Sequence, residues 1–267
     1  MSSILDRIVD QKKEDLILRK KEFKASDYSS FPGWEKDRSS LSGALSRKGV
    51  QIIAELKKAS PSKGVIRDDF DVTRLAGDYI TNGAAALSVL TEERFFKGNP
   101  DYMTQLSESV QVPLLRKDFI FDFYQLQEAR GIGADAVLLI ATITSGNQLM
   151  ELHHAATELG LETLIECYDP EEFSMIDFKS AEIVGVNNRN LNTFQVDVHR
   201  GIDALKSLPD HILTVSESGL SSPEDIRLLQ SESIDAALIG EYFMRQKEPG
   251  KALCKLTSID YEPESDR

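Results

Sequence analysis

The amino-acid sequence predicts an α/β fold in which parallel strands close into a barrel. After residue 49, short aliphatic runs alternate with helical patterns such as those at 73–80 and 222–229, and strands that alternate with helices form parallel sheets. The runs are almost continuously aliphatic, which is typical of strands covered on both faces. Because about eight such units fit within 267 residues, the size of one complete barrel, we predict a (β/α)8 TIM barrel with an N-terminal helical extension.

A closed barrel is favoured over an open sheet for these strands. A doubly wound sheet would also bury both strand faces, but the sequence has no G-x-G-x-x-G after the first strand and no G-x-x-x-x-G-K-[ST] motif. The nucleotide-binding versions of that fold therefore lose their main support. The predicted strands are 52–54, 85–90, 113–115, 136–140, 162–165, 183–186, 212–215 and 236–239.

Residues 1–48 precede the first strand and have a different pattern. Ser3 can cap a helix with one apolar side, and we interpret the charged run 12–15 as the solvated face of a helix lying on the barrel. The barrel itself is predicted to span 49–256. The acidic C-terminal tail, 257–267, is expected to fray.

The amino-acid composition disfavours some classes of binding partner. With 31 Lys and Arg against 44 Asp and Glu, the net charge is -13, which repels nucleic acids and anionic membrane surfaces. No apolar run approaches the ~20 residues needed to cross a bilayer. We therefore expect a small-molecule partner, and an anionic one would need a locally cationic or amide-rich pocket.

Cysteine and histidine usage indicates neither disulfides nor a metal site. Cys167 and Cys254 lie far apart and have no metal-ligand spacing, which fits a reducing, cytoplasmic location. The histidines sit in helical patterns or at a strand start, without a neighbouring carboxylate at ligand spacing. They are His153, His154, His199 and His211.

Polar side chains follow several predicted strands at their carboxyl ends, where the chemistry of barrels is found. Residues two apart in a strand share a face, so Glu55 and Lys57 point the same way as Ile53. Lysines and carboxylates meeting on one rim would shift each other's pKa values and suit proton transfer on an anionic substrate. The strand-end residues are Glu55, Lys57, Lys117, Asp118, Glu166, Asn187, Asn188, Arg189 and Glu217.

The turns after the last two strands predict a phosphate site. Ser218-Gly219 and Gly240-Glu241 stand where barrels often bind phosphate through backbone N–H groups, and glycine permits close approach of the backbone. The Glu241 carboxylate would repel phosphate, so only its backbone N–H is expected to contribute. Lys57 or Lys63 would supply the positive charge.

As a set, these motifs closely resemble indole-3-glycerol phosphate synthases. The resemblance covers residues 1 to about 256, and the motifs of the first and sixth strands are specific because each fixes several polar residues at set spacing. The motifs lie at 53–57, 60–64, 95–98, 115–119, 164–166, 185–191 and 216–219.

The resemblance implies ring closure of 1-(2-carboxyphenylamino)-1-deoxyribulose 5-phosphate to indole-3-glycerol phosphate, with release of CO2 and water, in tryptophan biosynthesis. The substrate would be an anionic conjugate of anthranilate and a phosphosugar, no cofactor would be needed, and we expect a monomer. Attack of the aromatic carbon on the ketone places negative charge on oxygen, which an ammonium can protonate. Decarboxylation restores aromaticity, and dehydration then needs an acid and a base.

The resemblance also implies residue roles. Lys117 matches a general acid, Glu166 and Glu55 match catalytic carboxylates, and Lys57 matches a lysine that contacts substrate and can protonate it during dehydration. Asn187 matches a residue that positions these groups. Ser60 and Pro61 match residues that shape the anthranilate end of the pocket, and Arg189 matches one that positions the substrate. The other implied substrate-binding residues are Phe96 and, at the phosphate end, Ser218, Gly219, Gly240 and Glu241; some family members have serine where this chain has Glu241.

Two other functions fit parts of the pattern. Lys117 or Lys57 could form a Schiff base in an aldolase-like barrel. A phosphosugar-binding barrel that has lost its chemistry would keep the phosphate turns, although the presence of both lysines and of Glu55 and Glu166 argues against such a loss.

Overall fold

A computed structural model describes residues 3–144, 147–190 and 193–258. The strands are β1 (Gln51–Leu56), β2 (Ala59–Ser60), β3 (Gly64–Val65), β4 (Ala86–Leu90), β5 (Leu114–Lys117), β6 (Ala136–Ile140), β7 (Glu162–Cys167), β8 (Ile183–Asn187), β9 (Leu213–Glu217) and β10 (Ala236–Ile239). All except the short hairpin β2–β3 form a closed parallel barrel in the order β1-β4-β5-β6-β7-β8-β9-β10, with β10 paired to β1. This confirms the predicted barrel fold.

α-Helices precede β1, follow β10 and connect the barrel strands from β1 onward, except that a 3-10 helix (Pro170–Met175) stands between β7 and β8. They are α1 (Ile4–Glu22), α2 (Leu41–Leu45), α3 (Val72–Thr81), α4 (Pro100–Ser107), α5 (Phe123–Gly131), α6 (Gln148–Glu158), α7 (Val198–Leu205), α8 (Pro223–Ser231), α9 (Glu241–Met244) and α10 (Pro249–Thr257).

Several strands continue past the ends predicted from the sequence. Lys117 pairs with Leu90 of β4, and Asn187 pairs with Glu217 across β8 and β9. These polar residues therefore lie within the sheet and do not begin solvated loops. Because the ladder fixes their backbone, it also fixes the direction of their side chains.

The alternation of side chains along each strand divides the core into two layers. Ile53, Leu115 and Leu164 belong to the layer inside the barrel. Their neighbours Ile52 and Leu114 belong to the larger layer between strands and helices. Parity along the strand therefore decides which residues reach the barrel interior.

Helices α1 and α2 lie at opposite ends of the barrel. The backbone N–H of Ser42 in α2 donates to Glu162, the first residue of β7, at 2.7 Å, and Leu41 fills the amino end of the interior layer. From α1, Leu5 and Ile8 pack into the same layer. Both of them line the pocket at the carboxyl ends of the strands.

Helix α1 begins at the predicted N-cap residue, and an ion pair with a buried carboxylate joins it to the end of β5. Ser3 accepts the N–H of Asp6, and Lys12 lies 2.7 Å from Asp118, whose side chain is fully buried. Burial would raise the pKa of Asp118, but the charges of Lys12 and Arg116 outweigh it and hold that pKa well below its usual range. The prediction that run 12–15 is a solvated face is therefore wrong at Lys12, because a buried carboxylate needs a counter-charge.

A second buried carboxylate, Glu128 on α5, extends this network. Arg116 donates to it at 2.6 Å, Arg19 of α1 at 3.1 Å and the hydroxyl of Tyr28 at 3.0 Å. Burial by itself would raise the pKa of Glu128, but Arg116 in the first place lowers it below its usual value. The extension is therefore bonded to both β5 and the helix that follows it.

The ends of the chain are described only in part. The acidic tail predicted at 257–267 lies outside the described residues from 259 onward, and the division of the chain at residues 48 and 256 stays a prediction. Among the described residues, none of the helices has the length and apolar character required to cross a bilayer.

We expect Asp118→Asn to lower the free energy of unfolding by about 3 kcal/mol at neutral pH, because Lys12 loses its buried counter-charge and Arg116 loses one of two. The pKa of Asp118 is depressed in the folded state, so its contribution is present above the ordinary carboxyl pKa of about 3.9 and is lost as the pH falls below it. Urea unfolding of both proteins should thus show a difference that narrows below about pH 4.

Asp122→Asn is the matched control for this measurement. Asp122 caps α5 and pairs with the partly exposed Lys20 at 2.7 Å. Asparagine caps helices as well as aspartate does, and an exposed pair contributes below about 1 kcal/mol. Equal free energies of unfolding for the two variants would show that the buried network stabilises the protein no more than the exposed ion pair does.

Candidate active site

The carboxyl ends of the strands surround a pocket, which is lined by all the predicted catalytic and substrate-binding residues but not by Lys63. Residues at or just after the carboxyl ends of all eight barrel strands contribute to the lining, including Leu90 of β4 and Ile140 of β6. The lining includes Glu55, Lys57, Ser60, Pro61, Phe96, Lys117, Glu166, Asn187, Arg189, Ser218, Gly219, Gly240 and Glu241.

Glu55 and Lys57 form an ion pair at the end of β1. Glu55 is only 3% exposed, and its side chain lies where a Cβ at Gly240 would collide with it. Gly240 has φ −128°, an ordinary backbone conformation, so what its missing side chain provides is space for Glu55. The sequence interpretation had credited this glycine only with approach to phosphate.

Lys117, at the end of β5, lies between two carboxylates. Its Nζ is 2.5 Å from Glu217 Oε2 and 3.0 Å from Glu166 Oε2. Asn187 donates from Nδ2 to the other oxygen of Glu166 at 3.2 Å. One ammonium therefore serves two buried carboxylates, and the amide orients one of them.

The two carboxyl groups differ in their protonation. Burial, with the charge of Glu166 added, raises the pKa of Glu217 to about 8 despite Lys117. Burial also acts on Glu166, but there Lys117 and Asn187 prevail and lower its pKa. For Lys117, burial alone would lower the pKa, whereas Glu166, Glu217 and Glu55 together raise it above the ordinary lysine value. The cluster thus holds an ammonium and, near neutral pH, one proton on its carboxylates.

Sequence reasoning missed Glu217 as a site residue. It placed Glu217 at a strand end, but treated the segment around it as a general phosphate turn. A signal was available, since Glu217 follows Val215 by two residues and Val215 faces the barrel interior. Gly185 on the neighbouring strand is the other signal, because a Cβ there would collide with Glu217 Oε1.

One wall of the pocket is apolar. The rings of Phe96 and Phe119 lie 6.0 Å apart, and Leu5 and Ile8 of α1 complete this wall. The buried carboxylate of Glu92 holds the loop that carries Phe96 by accepting its backbone N–H at 2.9 Å. These apolar residues gave no signal beyond hydrophobicity, so the sequence assigned only Phe96 to the site.

The hairpin after β1 borders this wall. Ser60 and Pro61 line the pocket, and the N–H of Ala59 donates to the carbonyl of Phe96 at 3.2 Å. Lys63, at the hairpin turn, is exposed and absent from the lining. Of the two predicted sources of positive charge, only Lys57 lies in the pocket.

Arg189 supplies a further cation at the end of β8. Its backbone N–H donates to Asn187 Oδ1 at 3.0 Å, and its guanidinium lies 3.7 Å from the Glu241 carboxylate. Glu241 also pairs with Arg245 at 3.0 Å. The Glu241 carboxylate is therefore directed to two arginines, which reduces its repulsion of an anionic ligand.

The histidines lie away from the pocket lining. His153, for example, bonds Thr163 at 2.8 Å between α6 and β7. Within the described ranges, no group of three or more His, Cys, Asp or Glu side chains is arranged to hold a metal ion.

Comparison with known proteins assigns a family. A family model described as indole-3-glycerol phosphate synthase matches residues 5–256. The indole-3-glycerol phosphate synthase of Salinibacter ruber is 48% identical over 256 residues, covering 95% of this chain and 95% of that protein. That of Acetivibrio thermocellus is 42% identical over 263 residues, covering 96% and 100%.

Solved structures of lower identity share the fold. A 3-hexulose-6-phosphate synthase from Salmonella typhimurium has a TM-score of 0.59 at 13% identity, covering 78% of this chain and 96% of its own. The tryptophan synthase α subunit of Legionella pneumophila has a TM-score of 0.57 at 12% identity, covering 78% and 91%. At these identities the likeness concerns the barrel alone.

We expect Glu217→Gln to remove a pH dependence of stability. The pKa of Glu217 is raised to about 8 from 4.5, so the folded state binds more protons than the unfolded state between these values, and stability falls as the pH rises through that window. At about pH 9 the variant should exceed the parent by at least about 1.4 kcal/mol, the equivalent of one pKa unit.

Urea unfolding from about pH 5 to pH 9 measures this difference. Glu224→Gln on the exposed surface of α8 is the control, and it should follow the parent at every pH. If the difference in free energy of unfolding between Glu217→Gln and the parent did not change with pH, the assignment of the proton to Glu217 would be contradicted. The same holds if Glu166→Gln, and not Glu217→Gln, removed the pH dependence.

Proposed function

The chain belongs to the indole-3-glycerol phosphate synthase family, and from this membership we propose how its pocket carries out the reaction. The enzyme is a carboxy-lyase of tryptophan biosynthesis. It closes the ring of 1-(2-carboxyphenylamino)-1-deoxyribulose 5-phosphate to give indole-3-glycerol phosphate, CO2 and water. The observation that carries the proposal is the Lys117 ammonium, buried between two carboxylates and facing an apolar wall.

The substrate lies across the pocket in this proposal. The aromatic ring rests on the wall formed by Phe96 and Phe119, beside Ser60 and Pro61. The phosphate lies at the turns after β9 and β10, the position that barrels often use for phosphate. This places the ketone between the two ends, within reach of the lysines.

Lys117 acts in the first step. The ring carbon that bears the carboxylate forms a bond to the ketone carbon, and the electron pair of the C=O bond moves to oxygen. That oxygen takes a proton from the Lys117 ammonium, which is kept charged by its neighbours until then. Glu217 holds a proton near neutral pH and lies 2.5 Å from the resulting amine, so it can return one.

The second and third steps complete the ring. The bond from the ring carbon to the carboxylate breaks, its electrons restore the aromatic ring, and CO2 leaves. The hydroxyl then departs as water with a proton from Lys57, while Glu55 or Glu166 accepts a proton from the adjacent CH2 group and a double bond forms. One proton is taken up overall, since an anionic carboxylate leaves as neutral CO2.

The charges of the site disfavour the alternatives. A Schiff-base lysine must be a neutral amine when it attacks, whereas the pKa of Lys117 is raised and Lys57 is paired with Glu55. A barrel that only binds phosphosugars has no need for such a buried cluster, which is costly to fold. We further propose a monomer located in the cytoplasm and acting without a cofactor.

We expect Lys117→Ala to lower kcat by at least ~10²-fold, because a positioned general acid contributes that much. The assay follows the fluorescence of the indole product from the synthetic substrate, with circular dichroism to verify folding. Lys20→Ala, which removes an exposed lysine bound to Asp122, should leave kcat within about twofold.

Three results would decide against this assignment. Unchanged turnover in Lys117→Ala would eliminate that lysine as the acid. Covalent trapping of the parent enzyme by borohydride with substrate would support the Schiff-base mechanism. Absence of product from a folded parent protein that still binds phosphate would favour the non-catalytic binder.

A further inference from the structure

Asn188 is a buried polar residue that the mechanism above does not use. It follows β8 and, by strand parity, continues the side of Val184 and Val186, which pack in the layer between strands and helices. It is 1% exposed. A carboxamide in such an apolar layer is costly unless its hydrogen bonds are satisfied, which raises the question of what it holds.

The hydrogen bonds that Asn188 donates all reach the end of β9. Its Nδ2 donates to the Ser216 hydroxyl at 3.0 Å and to the Ser218 carbonyl at 2.9 Å. Its backbone N–H donates to the carbonyl of Glu217 at 2.8 Å. Because a carbonyl can only accept, the nitrogen of the amide must face Ser218.

The amide oxygen of Asn188 is left without a partner. Oδ1 is buried and accepts no hydrogen bond in the described part of the chain. It faces Gly201 in α7, where a Cβ would collide with it. Glycine inside a helix destabilises it by about 1 kcal/mol relative to alanine. Both the unpaired oxygen and the glycine are costs of keeping the amide nitrogen on Ser218.

The backbone held by Asn188 is itself strained. Ser218 and Gly219 have φ values of 71° and 82°, and the left-handed region costs a residue other than glycine about 1–2 kcal/mol. In the planar trans peptide between them, the N–H of Gly219 points opposite to the carbonyl of Ser218. Since Asn188 draws that carbonyl outward, the N–H is directed toward the pocket that both residues line.

We propose that Asn188 is a positioning residue which holds the Ser218-Gly219 peptide in its left-handed conformation, so that the Gly219 N–H binds the phosphate of the substrate. The inference rests on the proposed placement of phosphate at this turn. Among the described residues, no bond to a protein acceptor engages that N–H, and its donor is therefore available to an anion.

Asn188→Ala tests the proposal. KM and the inhibition constant of inorganic phosphate should both rise at least ~10-fold, the loss expected for a charge-assisted hydrogen bond of about 1.5 kcal/mol. The kcat value should stay within about threefold, because the Lys117 cluster is not bonded to the Asn188 side chain. Adding Ser218→Gly should recover part of the phosphate affinity, since glycine adopts positive φ without strain.

Thr214→Val is the matched control. Thr214 lies at the other end of β9 and donates a similar hydrogen bond to Asp235 at 2.8 Å. Its loss should lower stability without changing KM or phosphate inhibition. A change in phosphate inhibition for Asn188→Ala no larger than that for Thr214→Val would overturn the proposal.

Gly201→Ala provides a second variant if Asn188→Ala does not fold. Its added methyl displaces the amide while helix propensity increases, and it should weaken inhibition by phosphate in the same way. Unchanged inhibition would then overturn the proposal. Titration calorimetry with inorganic phosphate separates the two hypotheses: a parent that binds phosphate without turning over substrate contradicts the proposed function, whereas equal binding by parent and variants contradicts only the role of Asn188.

Discussion

The structure depends on the burial of charge at the carboxyl end of the barrel. Glu166 and Glu217 share the Lys117 ammonium, and Glu55 pairs with Lys57 at the end of β1. Two adjacent carboxylates cannot both ionise at low cost, so a proton is retained between them near neutral pH. The same arrangement that makes this layer costly to fold keeps the Lys117 ammonium charged beside a carboxyl group that holds a proton.

Successive side chains of β5 point to opposite faces of the sheet, and this connects the buried charges to the N-terminal extension. Lys117 points into the barrel, while Arg116 and Asp118 point outward into the network that includes Lys12 of α1. The helix that carries Leu5 and Ile8 into the pocket wall is therefore bonded directly to Asp118 and, through Glu128, to Arg116, the two neighbours of Lys117 in sequence. Displacing α1 would change the apolar wall and the surroundings of Lys117 together.

Much of the fold and the charged site followed from the sequence, because continuous aliphatic runs and strand parity are local properties. Lys117 and Glu166 could be placed inward by counting from the hydrophobic residues before them. What could not be predicted depends on contacts between distant segments. The sequence pattern predicts that Lys12 lies on the surface, and only the structure shows that it pairs with the buried Asp118. The position of Asn188 between α7 and β9 could not be predicted, because it depends on how that helix packs.

Gly185 and Gly240 leave the volume that the side chains of Glu217 and Glu55 fill. A barrel optimised only for packing would place aliphatic side chains in this layer. Selection of random variants for heat resistance, without selection for growth on the product, should thus favour alanine at either glycine together with loss of the adjacent acid. Such proteins would be more stable but would no longer form indole-3-glycerol phosphate, so stability and the proposed chemistry compete at these positions.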